Sequence, residues 1–119
     1  MSTTQLVGAH VVLAITGMEL GTAIRAVYRL RPARPSFAHD MGSAEADVMQ
    51  RHVAYWQDLL NRGVAVAFGP VLDREDPWGL GLLDLDDEPA ARSIGEGDPA
   101  VQTGTCTYEL VPMELVRPG

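Results

Sequence analysis

The chain has 119 residues, a formal net charge of −7, 46% hydrophobic and 21% charged residues. This is enough for one globular domain of ordinary composition, and its acidity removes the basic footprint that a nucleic-acid backbone or an anionic membrane surface requires. Cys106 is the single cysteine, which excludes an intrachain disulfide and a cysteine-based zinc site and suits a reducing, cytoplasmic location.

The N-terminal run LVGAHVVLAITGM, residues 6–18, is apolar but too short to cross a bilayer, which takes about 20 residues. The first positive residue is Arg25, so the basic region of a secretory signal is missing. Residues 1–25 are therefore read as an extension: an extra strand, a disordered lead-in or a start placed too early. His10 within it has no visible partner.

Residues 21–31, GTAIRAVYRLR, alternate as a strand does, with Ile24, Ala26, Tyr28 and Leu30 on one face and Arg25, Arg29 and Arg31 on the other. Pro32 and Pro35 end it. The loop after it holds Arg34, Phe37, His39 and Asp40. Residues 43–63, SAEADVMQRHVAYWQDLLNRG, have helical periodicity. Met49, Val53, Trp56 and Leu60 form the centre of the apolar stripe, with Val48, Tyr55 and Leu59 widening it. Asp47–Arg51 and Asp58–Arg62 on the other face are i,i+4 pairs with the acid first, the favourable order. Ser43 is the expected N-cap and Gly63 the residue after the C-terminus. His52 falls inside the apolar arc.

Next comes the short strand VAVAFG, residues 64–69, closed by Gly69-Pro70. A charged turn around Asp73 leads to the strand WGLGLLDL, residues 78–85. Its alternating Gly79 and Gly81 point to close approach by another backbone or a ligand. Asp86 and Asp87 are candidate caps for a second helix reaching Ile94, where Gly95 and Gly97 interrupt it. Asp98-Pro99 terminates the helix, and residues 103–113, TGTCTYELVPM, form the last strand. The order βαββαβ predicts an α+β, ferredoxin-like sandwich with both helices on one face of an antiparallel sheet. The bare face calls for cover by a second copy.

The ordered set LRPARPSF-x-x-DM, M-x-x-H-x-x-YW-x-x-L-x-x-G, GPVLD, WGLGLL, DP and YELVPM resembles the YCII-related proteins over residues 26–119. The resemblance implies a homodimer in which two ferredoxin-like protomers form a dimeric α+β barrel. It also implies a small cleft with a histidine and a carboxylate proposed as an acid–base pair. Some relatives are linked to elimination of chloride from chlorinated hydroxyquinones. Carried onto this chain, the histidine is His52, and the carboxylate is Asp73 or Asp98. Asp73 is preferred, because Gly69-Pro70 turns the chain back near the long helix. Asp98 follows a glycine-interrupted helix. Asp40 ranks behind both, since a dozen helical residues span about 18 Å.

Each residue also has a plainer reading. His52 can be a core histidine bonded to backbone carbonyls, and Asp73 and Asp98 can be turn formers. Arg34, Phe37, Trp56, Gly69 and Pro70 are the expected substrate contacts, though Trp56 at helical spacing also suits plain core. His10, His39, His52 and Cys106 lack metal-ligand spacing, and no phosphate loop or nucleophile elbow occurs. The expectation is a homodimer that binds a small organic molecule and performs isomerisation or elimination with no cofactor and no metal. The rival is a non-catalytic ligand-binding or regulatory module.

Overall fold

The computed structural model describes residues 2–6, 11–15, 24–85 and 87–116. The elements are β1 (Ser2–Leu6), β2 (Val11–Ile15), β3 (Ile24–Pro32), α1 (Phe37–Asp40), α2 (Ser43–Asn61), β4 (Ala65–Val71), β5 (Trp78–Leu85), α3 (Glu88–Gly97), α4 (Pro99–Gln102) and β6 (Cys106–Pro112). From β3 onward the strands and the two longer helices follow the βαββαβ order. The sheet order is β1-β2-β6-β3-β5-β4. Its β6-β3-β5-β4 part is antiparallel throughout, with Tyr28 opposite both Gly81 and Leu110. This is the ferredoxin-like arrangement.

The N-terminal extension contributes β1 and β2, an antiparallel pair, and β2 runs parallel to β6 with Val11 aligned to Leu110. His10 and residues 21–23 of the expected first strand lie outside the described residues. No helix among the described residues is long and apolar enough to cross a membrane.

Alternation in β3 sends Ala26, Tyr28 and Leu30 into the core, where they meet Leu83 of β5, Tyr108 and Leu110 of β6, and Val48, Trp56 and Leu59 of α2. The buried stripe of α2 is thus centred on the flank of the expected stripe. Val53 is 51% exposed, because its side of the helix lies at the mouth of a cavity and not under the sheet.

Several boundaries differ from expectation for identifiable reasons. The N-cap of α2 is Gly42, one residue before Ser43, and the Glu45 carboxylate accepts its N–H at 2.9 Å. Gly63 adopts φ +77° just after the helix, the left-handed conformation expected there. Strand β4 runs through Gly69-Pro70 to Val71. It is the sheet edge, where proline's missing donor breaks no ladder. Helix α3 runs through both glycines to Gly97. Tyr108 packs so closely on Gly95 that a Cβ there would strike its ring, and the Tyr55 hydroxyl lies against Gly97. Helical close packing, not interruption, explains those glycines.

Candidate active site

Three separate elements build the site. Helix α2 presents His52 and Trp56 one turn apart on its inward face. Strand β3 delivers Tyr28 from the sheet. The junction of α3 and α4 supplies Asp98, which is fully buried and caps α4 by accepting the Ala100 N–H at 2.9 Å.

Asp98 gathers the others. The Tyr28 hydroxyl donates to Oδ2 at 3.0 Å and the Trp56 indole N–H to the same oxygen at 2.9 Å. His52 Nδ1 lies 2.9 Å from each carboxylate oxygen. Three unambiguous donors converge on this group, so it is an ionised acceptor, and Nδ1 carries the hydrogen that completes the set. Burial pushes the Asp98 carboxyl up. The hydrogen bond and charge of His52, with the bonds from Trp56 and Ala100, outweigh burial and hold it below the usual carboxylate range. Burial, then the Asp98 charge, pushes the Tyr28 phenol far above its ordinary value, so Tyr28 stays a neutral donor. With Nδ1 committed, the chemistry His52 offers is at Nε2.

The His52 ring lines a cavity of about 300 Å³. Phe37, Trp56, Gly69 and Pro70, four of the five expected contacts, line it as well. Gly81 lies against the Trp56 ring and Gly79 against Leu30, so side chains, and not the backbone or ligand expected, make the close approach at those glycines. Cys106 is a further lining residue. Burial, then the charges of Asp98 and Glu45, pushes its thiol up to about 11, so it is no thiolate near neutrality.

Two expected residues are placed elsewhere. Asp73 accepts the N–H groups of Glu75 and Asp76 at 2.9 and 3.2 Å. It closes its own exposed turn and does not meet His52, because β4 continues past the Gly-Pro pair and carries the turn beyond the helix. Arg34 is not on the cavity wall. Its guanidinium forks onto Glu45 at 2.9 and 3.0 Å and reaches Asp40 at 2.8 Å. The hydrogen bond from Arg34 leads in lowering the Glu45 carboxyl to about 2. Arg34 also stacks on Phe37 at 5.3 Å, and so fixes the wall of the cavity from behind.

Tyr28 is the site residue that sequence reasoning missed. Its signal was a phenol on the inward face of a strand, since a buried hydroxyl needs a partner. Among the described residues no group of three or more His, Cys, Asp or Glu side chains gathers as a metal would require.

A comparison with solved structures finds 5-chloro-2-hydroxyhydroquinone dehydrochlorinase (TftG) from Burkholderia phenoliruptrix AC1100, in complex with 2,5-dihydroxybenzoquinone. It has a TM-score of 0.54 and 18% identity, over 79% of this chain and 95% of that one. At that identity the likeness speaks for the fold. No curated protein matches the sequence. The family model of the YCII-related domain matches residues 26–114, which takes in every residue around Asp98, and the chain belongs to that family.

Proposed function

We propose that this protein binds a small organic molecule and catalyses cofactor-free proton transfer, an isomerisation or an elimination, with His52 as general base and acid. Asp98 is its orienting partner. The observation that carries this reading is the histidine on the wall of an apolar cavity with Nδ1 held by a buried carboxylate. That arrangement fixes the tautomer, turns the ring, and stabilises the imidazolium that forms when Nε2 takes a proton. In an elimination, Nε2 removes the substrate hydrogen and its bonding electrons become the new double bond. The leaving group then departs as an anion with its own electron pair. In an isomerisation, the same proton returns at another atom. The membership of the YCII-related family and a dehydrochlorinase with this fold support the elimination reading.

The test is a turnover screen of chlorinated hydroxyquinones, following chloride release, and of enolisable isomerisation substrates, with wild type and His52→Gln side by side. Turnover in the wild type that the variant lacks, with folding and oligomeric state unchanged, is the expected result. Equal turnover in the variant sinks the assignment of His52. Saturable binding with no turnover in either protein replaces it with a ligand-binding module.

A further inference from the structure

We infer that the His52 cavity selects uncharged, ring-sized molecules over carboxylates and phosphates. This deepens the proposed function and rests on the same site.

The charges around the cavity carry the argument. The chain has nine cationic side chains, counting arginine and lysine together, and its sequence contains arginines but no lysine. None of the described arginines lines the cavity. Arg34, which stacks behind Phe37 on the wall, is forked onto Glu45 and bound to Asp40. The charge that does reach the site is negative. Asp98 stands directly behind His52 at 2.9 Å, so even a proton on the imidazole only cancels a carboxylate already there. An anionic ligand entering this cavity would shed its hydration and find no counter-charge in return. A neutral ligand loses little.

The distribution of polar groups narrows the class further. The two strong donors nearest His52, the Tyr28 hydroxyl and the Trp56 indole, are both committed to Asp98. The lining side chains otherwise offer His52 Nε2 and the Cys106 thiol. Phe37, Met49 and Phe68 are among the apolar remainder. A hydroxyl or carbonyl that reaches the His52 end is satisfied there. A volume of about 300 Å³ is at the small end for ligand sites and suits one or two fused rings.

The experiment uses three ring-matched probes at pH 7: 4-chlorobenzamide, 4-chlorophenol and 4-chlorobenzoate. The amide reproduces the shape of the carboxylate without its charge. Affinities come from calorimetry, and location comes from the Trp56 indole N–H signal in NMR. Trp56 lines the cavity, so a ligand inside it shifts the Trp56 indole signal. The expected result is that both neutral probes shift that signal and bind at least about tenfold more tightly than the benzoate, a factor worth about 1.4 kcal/mol. Benzoate binding as tight as that of the amide overturns the inference, and so does the absence of a Trp56 indole shift with the neutral probes. These readouts are independent of turnover. Charge preference without turnover removes only the catalytic reading, whereas turnover without charge preference removes only this one.

Discussion

Asp98 holds an ionised carboxylate where water does not reach, and four donors from the chain's own elements make that tolerable. Replacing it by asparagine keeps the shape but removes the charge and turns half of the acceptor into a donor facing donors. We expect Asp98→Asn to cost about 1–3 kcal/mol in urea unfolding, and to abolish whatever turnover His52→Gln abolishes, since the imidazole loses the group that fixes its tautomer. Tyr28→Phe should cost a similar amount, while leaving the His52–Asp98 contact in place. It deletes one hydrogen bond to a charged acceptor, about 1.5–3 kcal/mol at neutral pH. The pH dependence of that loss follows from the direction of the Asp98 shift. Folding lowers its pKa, so the stability it contributes is complete above the unfolded value of about 3.9 and is lost as pH falls through the lower folded value. The stability gap between wild type and Tyr28→Phe should therefore be constant from neutrality down to that region and narrow below it. A gap that closes at pH 6 would mean that the phenol answers to another group.

At the scale of elements, two glycines decide how closely helices and sheet approach. In an exposed helix, glycine to alanine is favourable by about 1 kcal/mol. At Gly95 the new methyl group would land on the Tyr108 ring, whose hydroxyl bonds the Arg92 carbonyl at 3.3 Å. Overpacking of this kind costs about 1–3 kcal/mol, so the collision wins over propensity and Gly95→Ala should lower the thermal midpoint. Gly97→Ala meets mainly the Tyr55 hydroxyl at 2.7 Å, the far end of a side chain that can turn, and should cost less. Thermal unfolding of both variants tests that ranking. The same glycines mark how far the sequence was legible. Periodicity revealed α2, the inward histidine, the strand alternation of β3 and the left-handed Gly63, because each depends on local spacing. Asp98 as the partner of His52 depended on α3 continuing through its glycines to Gly97, with the Tyr108 ring of β6 packed on Gly95. No local pattern carries such a contact. Asp73 looked nearer because Gly-Pro reads as a break, yet on an edge strand the pair is tolerated and the turn moves outward. Tyr28 was assigned to the right face, but its role appears only when three elements meet.

Among the described residues of the whole molecule, helices cover the sheet on one side only. Buried Leu83 faces the helices, so alternation turns its neighbour Leu82 to the bare side, together with Val27, to which it is aligned. Arg29 and Arg31 on that side meet Glu109 at 3.5 and 3.1 Å, and Arg29 lies 4.7 Å over the Trp78 ring. These contacts settle the charges within the chain and leave an apolar strip between them. We propose that a second copy covers this strip, sheet against sheet about a two-fold axis, so that each copy presents the same patch to the other. The wild type should then run as a dimer in light scattering at micromolar concentration. Leu82→Arg places a charge where each strip meets its symmetry mate, so a two-fold contact doubles the insult, and this variant should run as a folded monomer. Because Leu82 points away from the Asp98 network, circular dichroism of the monomer should keep the native helix content. A Leu82→Arg protein that remains dimeric would mean that the copies join by another surface, and a wild type that is monomeric throughout would remove the dimer itself.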